Sequence, residues 1–82
     1  MEKKEIEIFP NRLTSGEKLR INGANGLTQI VVYEYTGRMV DRLEIDANEG
    51  GLQIDTDVWP KGLLILKIET REKISTFKVV ID

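Results

Sequence analysis

The sequence predicts an all-β fold, a small antiparallel sandwich of about seven short strands, and three observations predict it. Charged and apolar residues alternate with period two in segments such as Glu5-Ile6-Glu7-Ile8 and Lys18-Leu19-Arg20-Ile21. Glycine, asparagine and proline interrupt these segments every ~8–12 residues, the spacing of an Ig-like sandwich. No window holds a helical period. Leu63 to Arg71 comes nearest, and it fails on length and on its β-branched and turn-forming surroundings. With 82 residues the chain makes one domain with one thin core.

The elements follow in order. Residues 1–4 read as a frayed end and residues 5–82 as the domain. Glu5 to Phe9 is an alternating strand stopped by Pro10-Asn11, because proline cannot donate to a ladder. Lys18 to Ile21 is a second strand, and Asn22-Gly23-Ala24-Asn25-Gly26 offers two Asn-Gly pairs suited to a hairpin turn. Thr28 to Tyr35 is the strongest candidate. Ile30 and Val32 occupy one face and Val31, Tyr33 and Tyr35 the other, which predicts a central strand covered at least in part on both sides. Thr36-Gly37 turns the chain into Met39 to Asp46, where Met39, Leu43 and Ile45 share a face and Asp41 is the exception. A loop at Ala47 to Gly51, a short strand at Leu52 to Asp55 and a turn around Trp59-Pro60 come next. Leu63 to Glu69, a polar hairpin at Thr70 to Lys73, and Ile74 to Ile81 with Phe77, Val79 and Ile81 on one face close the chain.

Composition argues against catalysis. Histidine and cysteine are absent, which removes imidazole bases, thiolate nucleophiles, structural zinc and disulfides together. Neither Ser15 nor Ser75 lies in a nucleophile motif, and the Asp55/Asp57 pair sits at a strand end with no cleft in prospect. Twelve Lys+Arg against fourteen Asp+Glu leave a net charge of −2, the wrong balance for nucleic acid. No apolar run approaches the roughly 20 residues of a membrane span. Residues 34–57 are acidic, with seven carboxylates against two bases, while the end of the chain is basic; solvated outer strand faces account for both.

Three site candidates remain. Asp46-x-Asn48-x-Gly50 resembles half a calcium loop but lacks a third oxygen ligand and the terminal glutamate, so the expectation is a plain turn and no metal or cofactor. Tyr33 and Tyr35 share a face and offer a two-ring carbohydrate platform, against which core or rim packing is the stronger expectation. Lys67, Arg71, Lys73 and Lys78 gather near the last hairpin, as an exposed strand face does.

The order of these motifs resembles the C-terminal sorting domain (type A, Por secretion tail) of the type IX secretion system of Bacteroidetes. The first motif is Ile8-Phe9-Pro10-Asn11-Arg12, followed by Thr14-Ser15-Gly16-Glu17; Arg12 stands where the family has a second proline. Ile30-Val31-Val32-Tyr33-Glu34-Tyr35-Thr36-Gly37-Arg38-Met39-Val40 matches the next segment. Trp59-Pro60-Lys61-Gly62-Leu63-Leu64-Ile65-Leu66-Lys67-Ile68 matches the third, with Leu64 in place of a tyrosine. Thr76-Phe77-Lys78-Val79-Val80-Ile81 matches the closing strand.

The resemblance implies a non-catalytic secretion signal. A cargo domain on the N-terminal side would fold in the periplasm, pass the outer-membrane translocon, and reach the cell surface or the medium after cleavage by a sortase-type protease. The residues it marks are Pro10, Asn11, Gly16, Tyr33, Gly37, Gly62, Lys67, Phe77 and Lys78. An edge strand also leaves room for a weak dimer, although the charges on both terminal strands oppose it. The rival readings are an Ig-like accessory module that grips carbohydrate or protein, and a structural spacer repeat.

Overall fold

The computed structural model describes residues 5–47 and 51–82, so the expected frayed end at 1–4 and two of the three calcium-loop positions lie outside the described residues. The described residues form no helix and eight strands: β1 (Glu7–Phe9), β2 (Arg12–Leu13), β3 (Lys18–Asn22), β4 (Gly26–Glu34), β5 (Met39–Ala47), β6 (Leu52–Asp55), β7 (Gly62–Glu69) and β8 (Ile74–Ile81). They make two sheets, β1-β3-β6 and β2-β8-β7-β4-β5. This is the small all-β sandwich that the period-two pattern predicts.

The core lies between the sheets. Ile6, Leu19, Ile21 and Ile54 from the smaller layer meet Leu13, Ile30, Val32, Leu64, Leu66, Ile68, Val79 and Ile81 from the larger, and Ala24, Trp59 and Ala47 complete the cluster. Each fully buried aliphatic side chain contributes about 1.5–3 kcal/mol of transfer free energy. Among the described residues, Thr28 and Thr56 are the buried polar ones; their hydroxyls donate to Gly26 O (3.1 Å) and Glu17 O (2.7 Å). Their polar atoms are therefore satisfied.

The structure corrects the sequence reading in three places. Arg12–Leu13 is an additional strand, too short to show a period, and it pairs with β8 in parallel: Arg12 opposite Val80, Leu13 opposite Ile81. The chain reaches it by leaving the small sheet at the cis Phe9-Pro10 bond and crossing to the large one, so no hairpin joins the two strands. The Asn-Gly pairs likewise carry the chain from β3 in one sheet to β4 in the other rather than closing a hairpin. Glycine is required there: a Cβ on Gly23 would stand 2.2 Å from the Glu5 carbonyl oxygen, and its φ is +90°.

The third correction concerns Met39. The β4–β5 register shifts between Val32 and Tyr33, so Val32 faces Asp41 while Tyr33 faces Met39. Val40 is the extra residue of this bulge. Past it the alternation inverts: Val40 packs against the core, and Met39 is exposed instead of sharing the Leu43 and Ile45 face. The expectation for β4, a central strand covered at least in part on both faces, agrees with the structure: Ile30, Val31 and Val32 are all buried. The strand is central, with β5 and β7 on either side, and the small sheet covers its Ile30/Val32 face. On the other face the register neighbours of Val31 are Lys67 and Arg42. Their aliphatic stems shield it in place of a second layer.

Candidate functional site

The outer face of the five-stranded sheet can be assembled from the registers. One row across it runs Lys78, Ile65, Tyr33, Met39, and the next runs Thr76, Lys67, Val31, Arg42. Toward the end of the chain, Leu63 and Val80 sit opposite each other, with Arg12 beyond Val80. Apolar groups thus occupy the middle of a solvent-facing sheet, and Arg12, Lys78, Lys67 and Arg42 flank them. The acidic Glu69 and Glu44 lie one row further along, on either side of Gln29.

Three of the marked residues, Tyr33, Lys67 and Lys78, come together on this face. Phe77 does not: it points the other way, half-buried against the core as its alternation requires. The remaining marked residues shape the backbone at one end of the large sheet. Gly62 opens β7 opposite Ile81, with φ +113°. The Tyr35–Gly37 loop closes the β4–β5 hairpin there through Gly37 N–H to Glu34 O and Glu34 N–H to Arg38 O, both 2.8 Å. Gly37 has φ +98°, the left-handed residue that a three-residue hairpin loop needs. Gly16 occupies the third position of a Thr14–Glu17 turn closed by Glu17 N–H to Thr14 O at 3.0 Å. The Glu17 carboxylate accepts from the Thr14 hydroxyl and backbone N–H, and those bonds hold its pKa below the ordinary value.

Pro10 and Asn11 form the crossover, and there the end of the chain is fastened. Val80 N–H donates to Asn11 O (2.9 Å) and Asp82 N–H to Leu13 O (2.7 Å). Arg12 adds a two-point grip on the Asp82 carboxylate, with Nε to Oδ2 at 2.7 Å and a second nitrogen to Oδ1 at 3.1 Å. The hydrogen bond raises the pKa of Arg12 and lowers that of Asp82. The arginine that departs from the family pattern therefore takes part in securing the last strand. Leu64, the other departure, is a fully buried core residue.

Sequence reasoning missed two features. Trp59, read as part of a turn, is buried, and its indole N–H donates to Asp41 Oδ2 at 2.8 Å. That bond explains the one polar residue on an otherwise apolar strand face. Neither this pair nor Arg12–Asp82 leaves a local signal, because the partners are 18 and 70 positions apart. The tyrosine platform does not form on the strand: β4 ends at Glu34, and Tyr35 stands out in the loop, 73% exposed. Among the described residues, no three acidic side chains gather as a metal site would require.

Comparison with known families gives a match that runs over the whole sandwich: the family model for the secretion system C-terminal sorting domain matches residues 7–82. The chain belongs to this family. It is a type IX secretion sorting domain, and the match spans every strand from β1 to β8. No curated protein matches it. As a sorting domain it marks the protein that bears it for export to the cell surface or beyond, in an interaction with the secretion machinery. The expected all-β architecture and the suspected family are thus both found. No helix among the described residues is long and apolar enough to cross a membrane.

Proposed function

We propose that residues 5–82 act as a folded, non-catalytic address. A cargo on the N-terminal side is carried across the inner membrane, the domain folds in the periplasm, and the outer-membrane type IX translocon binds it. A sortase-type protease at the surface then separates cargo from signal. The observation that supports this most directly is the coincidence of the family match with the complete sandwich, its last strand held between β7 and β2.

Recognition uses the outer face of the large sheet beside the last hairpin. Lys67 and Lys78 give it positive charge, and Tyr33, Ile65, Leu63 and Val80 give it apolar surface. A face apolar at its centre and charged at its margin is the anatomy of a protein-binding surface. Pro10, Asn11, Gly16, Gly37, Gly62 and Phe77 act indirectly, by fixing the turns and the core against which that face is stretched.

The test is export of a periplasmic reporter fused to residues 1–82 in a cell with a type IX system. The fusion is expected in the medium or on the surface, and the same fusion lacking residues 74–82 is expected to stay in the periplasm. Unchanged export of the shortened fusion overturns the proposal.

A further inference from the structure

We infer that the free edge of β8 is a strand-addition site, where the recognition partner lays an extended, acidic and apolar segment of its own against the sheet. The inference deepens the sorting proposal and rests on it.

The edge can be read from the hydrogen bonds. β7 pairs with β8 along its full length, from Gly62 opposite Ile81 to Glu69 opposite Ile74. On the other side, β2 covers only Val80 and Ile81. The N–H groups of Val80 and Asp82 point at β2, where they donate to Asn11 and Leu13. Backbone groups alternate sides along a strand, so Lys78, Thr76 and Ile74 present their N–H and C=O toward the same edge. Among the described residues no strand pairs with them. The open stretch Ile74–Val79 is about 20 Å long at ~3.3 Å per residue.

The opposite edge of the same sheet is blunted. β5 carries the Val40 bulge and the charged residues Asp41, Arg42, Glu44 and Asp46. The open part of β8 has no bulge and no proline, and Lys78 is its only charged residue. Long unprotected edges invite pairing, and this sheet protects one of its two. β2 shows that the β8 edge accepts a strand, and it leaves most of the edge vacant.

The side chains define the occupant. A strand added there meets Lys78 and Ile74 on the outer face and the half-buried Phe77 on the core face. It therefore carries a carboxylate opposite Lys78 and an apolar group over Phe77. Main-chain bonds supply affinity and these alternate side chains supply register, as in other strand-addition complexes.

Proline separates this edge from the fold. Thr76→Pro removes only an outward N–H, whereas the ladder to β7 depends on the odd-numbered residues. Thr76→Val keeps the N–H and serves as the control. In the reporter fusion, Thr76→Val is expected to export like the parent. Thr76→Pro is expected to lose about tenfold or more, the effect of removing one or two net hydrogen bonds, while the purified domain melts within a few degrees of the parent. Normal export of a folded Thr76→Pro overturns the inference and leaves the sorting proposal standing.

If Thr76→Pro does not fold, Ile74→Pro takes its place, at the first residue of the strand, where proline is tolerated and the lost N–H also faces the open edge: reduced export of the folded variant supports the edge, and unchanged export overturns it. If the purified domain forms dimers that Thr76→Pro dissolves, the occupant is a second copy, and the assignment to a partner strand is wrong. Failure of the parent fusion to export overturns the sorting proposal itself, and the edge inference falls with it.

Discussion

Asp41 breaks the pattern of β5 for a reason found elsewhere in the fold, in the turn that holds Trp59. Burying the indole removes its N–H from water, and the Asp41 carboxylate restores the lost hydrogen bond at 2.8 Å. Asp41→Ala leaves that donor without a partner, and it is expected to lower stability by about 1–3 kcal/mol. Asp41→Asn keeps an acceptor and is expected to stay nearer the parent; chemical denaturation of the two variants measures the difference. Gly23 makes an equally sharp case from backbone alone. Alanine there meets the Glu5 carbonyl and an unfavourable φ together, so Gly23→Ala is expected to cost more than about 1 kcal/mol in the same assay. At this scale the sequence was half legible. Asn-Gly announced a special backbone but not the close approach of residue 5, which a neighbouring strand alone creates.

Among the elements, the two-residue β2 is the one that fastens the end of β8. Its pairing with β8 and the Arg12–Asp82 bridge hold the end of the chain at the sheet edge. The Arg12 hydrogen bond lowers the Asp82 pKa, so folding is favoured by the ionised form. That contribution is fully present above the unfolded carboxylate value of about 4 and is lost as the pH falls through the lower folded value. Glu17 has the same sign through its bonds to Thr14. Asp82→Asn is therefore expected to flatten the acid-side loss of melting temperature, with the difference between variant and parent vanishing at the lowest pH. Both groups of the bridge are exposed, so its effect is modest and weakens with salt. The long strands β4, β5, β7 and β8 were legible because each has a buried face that enforces alternation over many residues. β2 was not, since two residues show no period. The inversion at Val40 was hidden because a bulge is a relation between two strands.

For the whole molecule, the decisive fact is where the last strand lies. β8 is joined to β7 by a hairpin and to β2 by a contact spanning nearly the entire chain. It brings Val79 and Ile81, both fully buried, and Phe77 into the core. A chain ending at residue 73 has an open β7 edge, loses those side chains and leaves β2 with nothing to pair against. A domain of this size has little stability in reserve. Residues 1–73 are therefore expected to show no cooperative melt by circular dichroism, and Ile81→Ala alone to cost about 2–5 kcal/mol. A cooperative transition in the shortened chain overturns this view of the fold. The consequence for sorting is one of timing. The outer face that carries Tyr33, Lys67 and Lys78 takes shape only once β8 has docked between β7 and β2.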